Sequence, residues 1–63
     1  MMKEYKVYDF DGEIRGIVQA KSFEQAFNKV IGDYVHKEVT LHDTYDVSIK
    51  CGNKVKYIWI RWG

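Results

Sequence analysis

The chain has 63 residues, ten of them basic and nine acidic, and its net charge is +1. We expect one small domain, residues 1–63, that buries only about 60% of the surface its unfolded form exposes. The single cysteine, Cys51, excludes an intramolecular disulfide, and the near-neutral total predicts no strong general attraction to nucleic acid or membrane.

The first predicted element is a β-hairpin over residues 3–20. Two runs rich in aromatic and β-branched residues flank the Asp-Gly pair at positions 11 and 12, which is typical of a two-residue type I′ turn. That turn pairs Phe10 with Glu13, Tyr8 with Arg15, and Lys6 with Ile17. A three-residue loop ending at Gly12 would instead pair Tyr8 with Ile14 and turn the second strand over. We prefer the two-residue turn because it gathers apolar residues on one face: Tyr5, Val7, Ile14 and Val18.

An amphipathic helix is predicted over residues 22–35. Ser22 and Gln25 have the spacing of a capping box, which marks a helix start. Apolar residues then recur at helical spacing: Phe23, Ala26, Phe27, Val30, Ile31, Tyr34 and Val35. Gly32 lies on the polar side, so it either ends the helix or is tolerated within it.

A second hairpin is predicted over residues 40–62, with Gly52 and Asn53 in a type II′ turn. Its helix-facing pairs are Cys51 with Lys54, Ile49 with Lys56, Val47 with Ile58, and Tyr45 with Ile60. Its outward pairs are Lys50 with Val55, Ser48 with Tyr57, Asp46 with Trp59, and Thr44 with Arg61. The last strand therefore carries large apolar side chains on both faces.

The order of these elements predicts an α+β fold of type ββαββ. A four-stranded, mainly antiparallel sheet would carry one helix packed on one face. We favour the strand order 1-2-4-3, which places the last and most apolar strand in the interior of the sheet.

The sheet face opposite the helix is the predicted binding surface, since no second helix exists to cover it. It gathers the candidate partner-binding residues Tyr57, Trp59, Arg61, Tyr8, Phe10, Arg15 and Ile17. Lys6 and Lys50 lie on the same side. Exposed apolar surface rich in Trp, Tyr and Arg is typical of protein interfaces. The sequence thus predicts a protein-binding module that docks another protein or a second copy of itself, the latter as a homodimer.

Single-stranded nucleic acid is the alternative ligand for the same surface. Aromatic side chains on a sheet stack bases at about 1–3 kcal/mol each, and neighbouring Lys and Arg neutralise phosphates. Lys56 is predicted on the helix side, however, and the carboxylate of Asp46 is predicted beside Trp59. These two placements and the near-neutral charge favour protein over nucleic acid. Cross-strand packing alone would explain one or two of the aromatic residues but not the whole set.

Nothing in the sequence predicts an enzyme, a metal site or a cofactor. The acidic cluster Asp9, Asp11 and Glu13 resembles the middle of an EF-hand loop, but the bidentate glutamate would fall at Val18. Turn chemistry accounts for the cluster. The remaining candidate metal ligands, His36, His42, Asp43 and Cys51, match no metal-binding spacing. No phosphate-binding glycine loop or carboxylate pair is present.

A cytoplasmic location is expected from the lone free thiol and from a first segment that lacks the apolar stretch of a signal peptide. No apolar run approaches the 18 residues that cross a bilayer, so we expect no membrane partner. The absence of proline and the abundance of Lys, Ile and Tyr suggest AT-rich coding, as in phages and plasmids of low-GC bacteria.

Overall fold

A computed structural model of the chain describes residues 1–40 and 44–62, which contain one helix and five strands. The elements are β1 Lys3–Asp9, β2 Ile14–Ala20, α1 Phe23–Val30, β3 His36–Val39, β4 Val47–Cys51 and β5 Lys54–Ile60. All the strands pair antiparallel in one sheet of order β2-β1-β4-β5-β3. The α+β class is therefore confirmed, but the element order is ββαβββ and the sheet has five strands rather than four.

The predicted strand order 1-2-4-3 is wrong. The interior of the sheet holds β1, which pairs with β4 from Lys6 opposite Lys50 to Asp9 opposite Val47. Both Tyr5 and Val7 of β1 are buried, so this strand gains from neighbours on both sides. β5 is also interior, as expected, but its second neighbour is β3, a strand that sequence patterning did not reveal.

The first hairpin turns through three residues and not two. The amide of Asp9 donates to the carbonyl of Glu13 (2.7 Å) and the amide of Gly12 donates to the carbonyl of Asp9 (3.0 Å). Gly12 has φ of +89°, and no other residue type in the described chain has positive φ, so the type I′ turn is excluded.

A register shift in β2 reconciles the two predicted pairings. Tyr8 lies opposite Ile14, as the three-residue loop requires, whereas Lys6 lies opposite Ile17, as the two-residue turn requires. The irregularity falls at Arg15, an extra residue that leaves the ladder. Ile14 consequently lies on the side of the sheet opposite Val7 and Val18.

The helix begins as predicted. The Ser22 hydroxyl accepts a hydrogen bond from the amide of Gln25 (3.1 Å), and the Gln25 side chain accepts one from the amide of Lys21 (2.8 Å). These bonds satisfy amides that the first helical turn leaves without intrahelical partners.

The helix ends at Val30, not at Val35. The amides of Ile31 and Gly32 both donate to the carbonyl of Phe27 (2.8 and 3.3 Å), and Gly32 has φ of +129°, which only glycine adopts easily. Tyr34 and Val35 therefore leave the apolar stripe and are exposed.

The second hairpin keeps its predicted register from Cys51 opposite Lys54 to Val47 opposite Ile58. Gly52 has φ of +60° and Asn53 does not have positive φ, as a type II′ turn requires. The ladder ends at the pair of Val47 and Ile58; beyond it the amide of Asp46 donates to the carbonyl of Ile58 (2.8 Å), and the Asp46 carboxylate accepts a hydrogen bond from the amide of Ile60 (2.7 Å). The predicted pairs of Asp46, Tyr45 and Thr44 are therefore wrong, since β4 begins only at Val47.

The core lies between one face of the sheet and the helix. Its buried hydrophobic residues are Tyr5, Val7, Ala20, Ala26, Phe27, Val47, Ile49, Ile58 and Ile60. The helix packs mainly on β2 and β1. Gly16 permits this approach, because a Cβ atom there would lie 3.1 Å from Cγ1 of Val30. The helix therefore covers one side of the sheet only.

Candidate interaction surface

The outer face is defined here as the set of strand side chains that point away from α1. Residues directly opposite each other on paired strands share a face, so the register assigns each one. The set comprises Glu4, Lys6 and Tyr8 of β1; Ile14, Ile17 and Gln19 of β2; Ser48 and Lys50 of β4; Val55, Tyr57 and Trp59 of β5; and Lys37 and Val39 of β3. No other element in the described part of the chain lies over this face.

Tyrosines line the middle of the outer face. Tyr8 and Tyr57 lie on either side of Ser48, which is only 9% exposed. The ring of Tyr45 meets that of Tyr57 edge-on, with 4.8 Å between centroids. These rings thus shield one another and Ser48 without any covering layer.

Two lysines of the outer face lie over aromatic rings. The Lys37 ammonium is 5.6 Å from the ring centroid of Trp59, its cross-strand partner, and the Lys50 ammonium is 5.3 Å from that of Tyr8. Cations over ring faces are held electrostatically, at about 0.5–1 kcal/mol on exposed surfaces. The positions over these rings are therefore weakly favoured for the two ammonium groups.

The second charged feature is a pair of lysines, one on β1 and one on β4. Lys6 and Lys50 are directly opposite each other on the outer face. Within residues 1–40 and 44–62, neither ammonium forms a salt bridge; the ion pairs there join Arg15 with Asp9 and Lys56 with Glu38. A shallow cleft of about 350 Å³ adjoins the lysine pair and is lined by Glu4, Lys6, Tyr8, Lys50 and Gly52.

The structure brings together four of the seven predicted partner-binding residues. Tyr8, Ile17, Tyr57 and Trp59 share the outer face, with Ile17 well exposed and the three aromatic residues half-buried. They share a face because side chains alternate along each strand, and this alternation could be predicted from the sequence pattern.

Phe10 and Arg15 lie elsewhere, and Arg61 lies just beyond the end of β5. Phe10 is in the first turn and is 71% exposed, and Arg15 at the bulge forms an ion pair with Asp9 (3.1 Å). Both line a cleft of about 240 Å³ near the end of the helix, beside Ile31 and Trp62. Arg61 follows β5 and is exposed. The bulge explains the misplacement of Arg15, since it removes that residue from the alternation of β2.

Sequence patterning missed four contributors to the surface: Lys37, Val39, Tyr45 and Ile14, the last of which the two-residue turn had placed on the opposite face. Lys37 and Val39 belong to β3, where a charged, four-residue segment gives no clear strand signal. Recognising Gly32 as the helix end would have left residues 33–40 free to form a strand. Lys56 lies on the helix side, as predicted, where its ammonium is 3.4 Å from the carboxylate of Glu38.

The acidic cluster lies at the first turn. Single carboxylate oxygens of Asp9, Asp11 and Glu13 lie within 4.8 Å of one another. Asp9 is paired with Arg15, and Asp11 accepts a hydrogen bond from the amide of Glu13 (3.4 Å). These contacts agree with the turn role that the sequence indicated.

The histidine and cysteine candidates have local contacts of an ordinary kind. The ring of His36 stacks on Phe27, with 3.9 Å between centroids, and its Nδ1 donates to the carbonyl of Tyr34 (2.7 Å). Cys51 is half-buried beside the hydroxyl of Tyr5. His42 and Asp43 lie outside the described residues.

Comparison with models of protein families, with curated proteins and with solved structures found no significant match to this chain. No helix in the described residues has the length and hydropathy needed to cross a membrane.

Proposed function

We propose that this chain is a small, non-enzymatic protein-binding module that docks another protein on its outer face. The observation that carries the proposal is the aromatic centre of a sheet face that no described element covers. Tyr8, Tyr57 and Trp59 lie there with lysines directed over two of their rings. Trp and Tyr supply large contact areas at low entropic cost and dominate binding hot spots.

The charge of the outer face favours a different protein over a second copy. Lys6, Lys37 and Lys50 are opposed by one carboxylate in the defined set, that of Glu4. Two copies stacked face to face would bring both sets of lysines together, and like charges across an interface are unfavourable. We therefore infer a hetero-partner, with the homodimer as the alternative occupant.

A single-stranded nucleic acid is the second candidate, favoured by the alternation of lysines and aromatic rings on one sheet. Asp46 no longer argues against it, since its carboxylate accepts from the amide of Ile60 instead of flanking Trp59. The rings themselves argue against it, because those of Tyr8, Tyr57 and Trp59 already contact side chains of this chain. Base stacking would have to displace them.

An adaptor or inhibitor role in the cytoplasm, in a protein carried by a phage or plasmid, is the setting we propose. It is supported by the small size, the free thiol and the composition described above. The chemistry of the outer face does not depend on that setting.

Affinity capture with matched variants tests the proposal. Trp59→Ala should remove the captured partner while leaving the fold intact, since Trp59 is half-buried at the surface of the sheet. Asn28→Ala, on the exposed side of the helix, serves as the control and should retain the partner. Nuclease treatment should not change the result, and modest salt should weaken capture only slightly.

Two results would contradict the proposal. One is a partner that Trp59→Ala retains as well as the wild type does. The other is a fall in the free energy of unfolding of Trp59→Ala by about 3–5 kcal/mol, the loss expected when a fully buried tryptophan is replaced by alanine. Capture that disappears with nuclease would replace the protein partner by nucleic acid.

A further inference from the structure

We infer that Lys6, Lys50 and Tyr8 form a carboxylate-binding subsite on the outer face, so that the docking protein presents an Asp or Glu side chain there. This inference rests on the proposed function and specifies the chemistry of the partner. It starts from the arrangement of the two lysines.

Lys6 and Lys50 occupy directly opposite positions on neighbouring antiparallel strands. Like charges in that arrangement destabilise a sheet, because their Cβ atoms are only about 5 Å apart. In the described residues neither lysine is compensated by a salt bridge. A bound anion between the two ammonium groups would convert this repulsion into two attractive, charge-assisted contacts.

The surroundings of the lysine pair are arranged for a small anion. Tyr8 holds the Lys50 ammonium over its ring, at 5.3 Å from the centroid, and its hydroxyl can donate a further hydrogen bond. Gly52 lines the adjoining cleft of about 350 Å³, and a Cβ atom at that position would meet no atom within 4 Å. The entrance to the subsite is therefore open from the turn between β4 and β5.

Glu4 distinguishes a carboxylate from a polyphosphate ligand. It lines the same cleft, so a chain of phosphates following the sheet would meet a negative charge beside the lysines. A protein can place one carboxylate on the lysine pair and a neutral or basic group near Glu4. Together with the occupied rings of Tyr8 and Trp59, this favours an acidic protein surface over single-stranded nucleic acid.

Titration of the isotope-labelled protein with a peptide of alternating Glu and Lys, followed by NMR at low salt, tests the subsite directly; its lysines supply the basic group that Glu4 requires. We expect amide shifts centred on Lys6, Tyr8 and Lys50. Lys6→Gln and Lys50→Gln should each weaken the interaction about two- to fivefold, as for loss of one surface ion pair. Lys21→Gln, which removes an exposed lysine before the helix, is the matched control and should bind as the wild type does.

Charge reversal gives a readout that a structural role would not produce. Lys50→Glu places opposite charges on the β1–β4 pair, so the melting temperature should rise while binding of the Glu-Lys peptide is lost. The inference is overturned if Lys6→Gln and Lys50→Gln bind the Glu-Lys peptide like the wild type, or if Lys21→Gln is weakened equally. It is also overturned if oligo-dT of matched length competes more strongly than the Glu-Lys peptide for the same amides.

The affinity capture described above separates the two proposals. A partner that is lost with Trp59→Ala but kept by Lys50→Gln would support the docking face and contradict the carboxylate subsite. A partner kept by Trp59→Ala would remove the docking face itself.

Discussion

Tyr5 shows how a single polar atom is accommodated in so small a core. It is 4% exposed, and its ring packs edge-on against Phe23 at 5.0 Å. Its hydroxyl lies beside the thiol of Cys51. Burial raises the pKa of Tyr5 above its ordinary value of 10.0, and the neighbouring Cys51 raises it further.

The raised pKa predicts a loss of stability at high pH. Above pH 10.0 the unfolded tyrosine releases its proton while the folded one retains it, so the free energy of unfolding falls as pH rises. Urea unfolding at pH 8, 10 and 11 should show this fall in the wild type and a shallower one in Tyr5→Phe. An equally steep fall in Tyr5→Phe would contradict the assignment to Tyr5 and indicate other groups.

At the scale of elements, the helix depends on its surroundings. The helix has eight residues. An isolated helix needs about 12–15 residues to be even marginally stable in water. Burial of Ala26 and Phe27 against the sheet supplies most of its stability. The ammonium of Lys29 adds a tie to β2 by donating to the carbonyl of Gln19 (2.7 Å).

Removal of the helix cap should therefore lower the stability of the whole protein. Ser22→Ala deletes the acceptor of the Gln25 amide and should lower the free energy of unfolding by about 1 kcal/mol. Ser22→Asp, which keeps an acceptor and adds a negative charge at the helix N-terminus, should match the wild type. Chemical denaturation measures both. Equal stability of all three proteins would mean that water replaces the cap without loss.

At the scale of the whole molecule, the two sides of the sheet differ in what covers them. One side is covered by the helix and carries the buried aliphatic residues; the other carries tyrosines, Trp59 and lysines that form no salt bridge with any described residue. A sheet covered on one side normally shows polar residues on the other. The proposed binding role of the outer face rests on this departure from the usual pattern.

This asymmetry predicts a monomer in dilute solution. Light scattering at micromolar concentration and low salt should give about 7.5 kDa, because face-to-face stacking would oppose the lysines of two copies. A dimer mass under these conditions would show that the lysines do not prevent self-association. The hetero-partner proposed above would then give way to a second copy of the chain.

Much of the local structure was predictable because short-range rules govern it. Ser22 and Gln25 lie three residues apart, and their hydrogen bonds form within one turn of helix. Gly52 places a positive φ where the type II′ turn needs it, and the alternation of β5 then aligns Tyr57 with Ser48. The aromatic centre of the candidate site followed from the same alternation.

The rest was decided by contacts between distant segments. The bulge at Arg15 places Ile14 on the outer face, whereas Ile17 keeps its predicted face. The ladder tolerates this extra residue because the buried face of β2 is preserved. Residues 36–39 become a strand because β5 offers an unpaired edge, not because their own composition demands one.

The amino-acid sequence by itself thus determined the class of fold, the helix start, the second turn and the faces of β5. Only the tertiary structure decided the strand order, and with it the meeting of Lys6 and Lys50. Alternation along a strand is a property of neighbouring residues, whereas the choice of a strand's neighbour depends on the free energy of burying whole faces together. The proposed carboxylate subsite therefore depends on the pairing of β1 with β4.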